Sequence, residues 1–337
     1  YRWRWRRSRS NALNRRTPID VVKPLVKKLR AECDLIVVLT HQGPTAPMQT
    51  DDEADPSVFR GNDANLALAG AVTGIDAVLG GHTDAGTRDP LIHPDTKTVV
   101  MQTFGQGQHL GLLEFEITGD EASFVGGSLQ TVNADALAPD PKVAERLAAY
   151  RAAHPDLYEI VGELDGSLTR RYYAESTMGN AFADIVAKAA GTTIGLMPSG
   201  ALRRDIEGGP VRRVDLLDAF PFEDRVARVQ MKGETLLAVL EQGLSLERGF
   251  LQVSGLDVTF DLDLPVGSRV KKVLVGDTPL DRDAIYSVAT LEIMAQGGDQ
   301  YTQFNDAKSV DWIDGSFAEH LLAAFASGKA SLAPSTD

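Results

Sequence analysis

Two histidines in this 337-residue chain stand directly after short apolar runs, His41 in VVLTHQG and His82 in VLGGHTD. A β-branched run that stops at a polar residue reads as a buried strand running into a loop. In open α/β sheets, ligands and metals sit beyond the carboxyl ends of strands, where a rigid sheet holds the loops. Asp84, two residues past His82, adds an oxygen donor, and imidazole with carboxylate suits zinc, manganese or iron better than calcium. The paired glycines before His82 let backbone approach an ion or phosphate closely. A strand-end histidine can equally be a structural hydrogen-bonder, and position alone leaves both readings open. His93, His109, His154 and His320 read as structural or surface residues.

A second group lies further on. MPSGALRRDI joins a strand end to a Gly-containing turn and two arginines, where a guanidinium either grips a phosphate with two parallel hydrogen bonds or stays solvated on a surface turn. AFPFED sets Phe222 beside a proline, as either a rigid stacking platform or an ordinary core ring. MAQGGDQY places Asp299 in a glycine turn, where it either accepts from ribose hydroxyls or serves the turn itself. RGNDANL imitates a metallophosphatase Asn-His motif, but Asp63 stands where the histidine would be, so Asn62 or Asp63 reads as a helix cap.

These residues need elements to hold them. Residues 19–33 read as a helix through Val22, Val26 and Leu29, with Pro24 weakening its first turns. Residues 34–40 and 76–84 read as buried strands, a polar loop fills 44–61, and 62–73 read as a helix. Segments 97–103 and 110–117 look like further strands. A helix over 139–155 has Asp140 as cap, Pro141 at its first position, and Val143, Leu147 and Tyr150 on one face. Beyond it, Ser176–Ala190 is helical with Met178, Phe182, Ile185 and Ala189 in a stripe, stopped by Gly191. Strands follow near 193–197, 225–231, 251–262, 270–275 and 284–290, with helices near 234–245 and 316–326. This order predicts an α/β chain.

Composition narrows the classes. The net charge of -13 argues against general nucleic-acid binding. No apolar run reaches about 18 residues, so no membrane span is expected. The single cysteine, Cys33, excludes an internal disulfide and a cysteine-built zinc site. It is expected as a small buried hydrophobe at a helix-to-strand junction. The first 16 residues hold seven arginines and no acid. They lack the apolar core of a secretory signal. A basic arm with interleaved Trp3 and Trp5 is one reading of them, and a foreign start joined to a shortened protein is the preferred one.

Taken together, VVLTHQG, VLGGHTD, ESTMGNAFADI, PSGALRRDI, DAFPFEDRVARVQMKGETL, FLQVSGLDVTFD and AQGGDQY resemble the bifunctional metallophosphatase and 5'-nucleotidase family, of the ecto-5'-nucleotidase and periplasmic UDP-sugar hydrolase type. The resemblance runs from about residue 18 to 330. It implies the C-terminal part of a metallophosphoesterase α/β sandwich over 18–138 and a linker helix over 139–162. A mixed α/β 5'-nucleotidase C-terminal domain would occupy 163–330, behind an atypical basic segment at 1–17. It implies hydrolysis of nucleotide phosphate monoesters with two divalent metals such as manganese or zinc, in the periplasm or outside the cell, on a small nucleotide substrate. His41, His82 and Asp84 resemble metal ligands. Arg203 matches the phosphate grip, Phe222 one plate of the base clamp, and Asp299 the ribose holder. The family's early metal-binding motifs and its catalytic histidine do not occur before His41, so catalytic residues stay unassigned and an N-terminally shortened, impaired hydrolase is expected. An inactive nucleotide-binding fragment is the alternative. Pro198 replaces the family's Asn, and Ile293 replaces its second aromatic plate. Those departures leave open a parent enzyme for cyclic nucleotides or sugar phosphates.

Overall fold

The structure, a computed structural model, describes residues 17–42, 62–83, 86–105, 107–119 and 121–326. The basic segment at 1–16, the polar loop expected at 44–61, and Asp84 lie outside the described residues. The chain separates into two compact units that divide between Ala138 and Pro139.

In the first unit, α1 (Pro18–Leu29) leads into β1 (Val37–Leu39). Thr17 closes a capping box with Asp20, whose N–H donates to Thr17 Oγ1 at 3.2 Å while Thr17 N donates back to Asp20 Oδ2 at 3.1 Å. Next come α2 (Asp63–Ala71), β2 (Ala77–Gly80), β3 (Leu91–Ile92) and β4 (Val99–Gln102). A long hairpin of β5 (His109–Thr118) and β6 (Glu121–Thr131) ends the unit. The sheet order is β1-β2-β4-β3, with the first three parallel and β3 antiparallel. Val26 of α1 and Leu68, Ala69 and Val72 at α2 cover Val78 and Val100, with Val38 packed against them. Arg30 clips the end of α1 to the sheet, its Nη1 lying 2.9 Å from Asp76 Oδ2 and its Nη2 donating to Cys33 O at 2.9 Å.

Three expectations change in this unit. The strand at 34–40 shrinks to three residues and is not buried, since Leu39 is 78% exposed. Its reason is topological: among the described strands β1 pairs only with β2, and Val37 and Leu39 point away from the helices. Asn62 occupies the N-cap position of α2 without a side-chain capping bond. Cys33 is half-buried against the core rather than fully enclosed.

The second unit begins with α3 (Pro141–Ala153), where Asp140 accepts from Lys142 N and Val143 N. Its expected apolar face, Val143, Leu147 and Tyr150, is exposed. β7 (Ile160–Leu164) starts inside the stretch expected as linker and precedes α4 (Thr177–Ala190). In α4 the signals are local and complete: Ser176 Oγ accepts from Gly179 N at 3.0 Å, and Gly191 adopts φ +64° as the left-handed stop. Then follow β8 (Ile194–Pro198), β9 (Gly209–Arg212), α5 (Arg213–Ala219), β10 (Arg225–Lys232) and α6 (Gly233–Gly243). β11 (Leu251–Ser254) and β12 (Leu256–Phe260) form where one strand was expected, because Gly255 turns the chain at φ +72°. β13 (Val270–Val275), β14 (Thr278–Pro279), β15 (Ile285–Leu291), α7 (Glu292–Ala295), β16 (Ser309–Ser316) and α8 (Phe317–Ala326) complete the unit.

Its main sheet runs β11-β8-β15-β10-β16, with β8 and β15 parallel and the other neighbours antiparallel. Alternation along the strands feeds two cores. Met197, Val226, Ala289 and Leu291 face α4, α5 and α8, around Phe182, Phe220 and Phe317. Ile194, Leu196, Val229 and Val288 face α6 and Met294 of α7. The second unit is thus a mixed α/β layered domain, as expected.

Candidate functional site

The topology of the second unit explains why distant motifs meet. β8 and β15 are parallel, so the segments after Pro198 and Leu291 leave at the same edge. β10 and β11 are antiparallel to these two, so the segments before Arg225 and Leu251 arrive at that edge. Arg203, Phe222, Arg248 and Asp299 all sit in these four connections.

The contacts agree with that placement. The Arg203 guanidinium carbon lies 5.1 Å from the centre of the Phe222 ring, a cation–π arrangement. Phe222 in turn meets Phe220 edge-on at 5.3 Å, and Phe220 is wholly buried. One side of Phe222 is therefore anchored in the core. Asp299 and Gln300 both adopt left-handed backbone, φ +49° and +68°. Two consecutive non-glycine residues in that region are uncommon, and such backbone clusters at ligand sites. The Ile293 N–H donates to Asp224 Oδ1 at 3.2 Å, which ties the start of this turn to the segment before β10. Glu292 makes a double hydrogen bond with Arg225, at 2.9 and 3.0 Å, and Arg225 also lies over Trp312 at 4.6 Å. The hydrogen bonds from Arg225 hold the Glu292 carboxyl below its usual range, whereas burial pushes Asp224 up.

Tyr172 belongs to the same cluster and carried no sequence signal. Its ring packs on Gly249, where a Cβ would lie 2.9 Å from Tyr172 Cε1, and it approaches Gly200 of the Arg203 turn. Its phenol is pushed up to about 12, chiefly by burial, then by Tyr173 and Asp299, with Arg248 and Arg203 pulling the other way. Buried Tyr301 is raised further, by burial first and then by Asp299 and Tyr172. Both phenols stay protonated at neutral pH and can donate a hydrogen bond. The sign for stability follows: a raised phenol costs nothing below about pH 10, and the fold weakens as pH rises from about 10 to 12. In an alkaline titration read by phenolate absorbance, subtracting Tyr172→Phe should isolate one group near 12. Asp299→Asn should move that midpoint down, and an unmoved midpoint would separate Asp299 from Tyr172.

The turn carrying Arg203 is set by a buried carboxamide that pattern reading missed. Gln252 of β11 is fully buried. Its Nε2 donates to Ser199 Oγ and to Ala174 O, both at 2.8 Å, and its Oε1 accepts from Ser176 N at 3.0 Å. Ser199 Oγ donates onward to Phe250 O at 2.6 Å. Gly179 is required beside it, since a Cβ there would lie 2.2 Å from Gln252 Oε1. Ile293 is 43% exposed and packs its Cδ1 over Gly298.

In the first unit, His41 and His82 come together, with ring centroids 4.8 Å apart at a 54° tilt. His82 adopts φ +84°. The pair fits a cation in donor type and proximity. A structural or catalytic metal needs further donors, and among the described residues no group of three His, Cys, Asp or Glu gathers here. Of the other histidines, His93 Nδ1 accepts from Asp95 N and Thr96 N, His154 caps α3, and His320 lies 3.0 Å from Asp314 O. No helix among the described residues is long and apolar enough to cross a membrane.

Residues 158–306 match the family model described as 5'-nucleotidase, C-terminal domain. The chain is 30% identical over 270 residues to the trifunctional nucleotide phosphoesterase protein YfkN of Bacillus subtilis, taking in 73% of this chain and 18% of that protein. It is 26% identical over 337 residues to the 5'-nucleotidase of Homo sapiens, covering 86% of this chain and 55% of that one. The crystal structure of a 5'-nucleotidase precursor from Thermus thermophilus superposes with a TM-score of 0.75 at 28% identity, over 92% of this chain and 64% of that one. The chain thus spans less than two thirds of the length of each of these relatives.

Proposed function

Because the chain carries a 5'-nucleotidase C-terminal domain over residues 158–306, we propose that its second unit binds a nucleotide for metal-dependent hydrolysis of the phosphate ester. What supports this most is the gathering of Arg203, Phe222, Tyr172 and Asp299 at one edge of the sheet. In this reading Arg203 pairs with phosphate oxygens, and Phe222 offers its ring to the base. Asp299 accepts from ribose hydroxyls, and the protonated Tyr172 donates to an anionic or hydroxyl oxygen. A cation of the manganese or zinc kind would supply charge neutralisation and an acidified water. His41 and His82 would hold it, joined by Asp84. The compartment proposed is periplasmic or extracellular, following the resemblance to the ecto-5'-nucleotidase and periplasmic UDP-sugar hydrolase type. No catalytic acid or base is assigned among the described residues.

Binding of AMP to the chain, followed by calorimetry, and phosphate release from AMP with added manganese test the two halves of this reading separately. Saturable AMP binding is expected. A folded chain that binds neither AMP, a cyclic nucleotide nor a sugar phosphate would end the proposal for the second unit.

A second reading, a substrate with little or no base stacking, draws on Ile293. Ile293 is half-exposed, and by the family resemblance it takes the place of the second aromatic plate. Stacking contributes roughly 1–3 kcal/mol per base. Ile293→Phe should therefore tighten AMP by about tenfold and leave ribose 5-phosphate unchanged. Equal effects on both ligands would remove Ile293 from the base side.

A further inference from the structure

On the helix-facing side of the first sheet, the row Val38, Val78 and Val100 gives way two residues later to Thr40, Gly80 and Gln102. Polar groups facing a helix must find partners inside the protein. Thr40 finds its partner in Asn65, a fully buried residue of α2. Asn65 Oδ1 accepts from Thr40 Oγ1 at 2.7 Å and from Gln42 Nε2 at 3.1 Å, the residues on either side of His41. Gln42 Nε2 also donates to Ala64 O at 3.2 Å. Gln102, equally enclosed, donates from Nε2 to Thr83 Oγ1, the residue after His82. Its main-chain carbonyl accepts from Thr87 N at 2.9 Å.

Gly80 lies between the two carboxamides. A Cβ there would lie 2.4 Å from Asn65 Nδ2 and 2.6 Å from Gln102 Oε1. The bare Cα is what admits both. Asn65 thus brackets His41 on both sides, and Gln102 holds the residue that follows His82, whose left-handed backbone costs an ordinary residue about 1–2 kcal/mol.

We infer that Asn65 and Gln102 are positioning residues for the His41–His82 pair, an inference that rests on the reading of this pair as cation donors. Neither amide reaches the cation. They fix the strand ends so that two imidazoles present nitrogen together without reorganising on binding. Outer partners of metal ligands commonly change metal affinity 10–100-fold when removed.

Cobalt(II) titration of the full chain, read by visible absorption, tests this alongside a second measurement on metal-free protein, the NOE between the His41 and His82 ring protons. Asn65→Leu and Thr40→Val should each lose the NOE and weaken cobalt at least tenfold. Thr40→Ser, which keeps the hydroxyl, should retain both. Thr40→Val is nearly isosteric and covers the case in which Asn65→Leu does not fold. If the folded variants keep the NOE and bind cobalt within twofold of the parent, the inference is overturned. If the parent binds no cobalt but the variants still lose the NOE, the cation reading falls and the positioning role stands.

Discussion

Arg203→Ala should weaken AMP binding by about 10- to 100-fold, the loss expected when a charge-assisted double hydrogen bond worth roughly 1.5–3 kcal/mol disappears. Calorimetry on the variant would read it directly. Arg203→Lys should recover only part of the loss, because an ammonium cannot make two parallel bonds to one phosphate or lie flat on a ring. The ring matters here, since the guanidinium is already oriented over Phe222 in the free protein. Phe222→Ala should then weaken ribose 5-phosphate as well as AMP, because a loosened Arg203 serves every phosphate. An Arg203→Ala variant that binds AMP like the parent would exclude Arg203 from the site.

The largest stability effect is expected at a residue that touches no ligand. Gln252→Leu keeps the volume but strands Ala174 O and Ser176 N and frees Ser199 from one of its bonds. Each stranded buried group costs about 1–3 kcal/mol. A loss of about 3 kcal/mol should lower the melting temperature of the second unit by roughly 10 °C, at the usual sensitivity for a unit of this size. Gln230→Leu is the control. Its side chain makes one part-buried bond to Ser287, and the change should cost about 1 kcal/mol or less. Equal shifts for the two variants would deny Gln252 its special place. AMP affinity of the surviving Gln252→Leu protein should also fall, because the Ser199–Arg203 turn loses its tie to β11.

The elements read best from sequence are those whose signals are local. Helix α4 carries its own cap, apolar stripe and stop in one stretch of chain. The strand β8 is apolar and buried along its whole length because both of its faces are covered. β16 escaped notice for the opposite reason. It is an edge strand whose sequence, SVDWIDGS, lacks buried residues. β7 and β9 pair with each other across α4 and β8, a contact that no local pattern encodes. Leu39 misled because an apolar run announces a strand without saying how many neighbours it has. Asn65 and Gln252 were invisible for a shared reason. A polar residue inside an apolar element reads as a flaw in the pattern until its partners are located.

The candidate site was legible only in pieces. Arg203, Phe222 and Asp299 came from motifs that resemble a family, and nothing in their spacing says that they approach each other. The order of the sheet says it, by bringing two parallel strand ends and two antiparallel strand starts to one edge. Tyr172 and Arg248 belong to no recognisable motif; Tyr172 enters through its packing on Gly249 and Gly200 and its coupling to Asp299 and Arg203, and Arg248 through its coupling to Tyr172.

The pairing of β8 with β15 has a consequence for how the chain is made. The two strands join across 94 residues, where Thr290 Oγ1 donates to Leu196 O, and β15 lies at the centre of the sheet. Contacts of such long sequence separation slow folding, because loop entropy is spent before any pairing rewards it. A ribosome that has released α4 and β8 but not yet β15 therefore presents apolar surface with no permanent partner. During that interval Phe182, Leu196 and Met197 are exposed to chaperones and to other nascent chains. Slowing elongation between residues 200 and 285 should lengthen that interval and lower the yield of soluble protein without altering a single contact of the finished molecule.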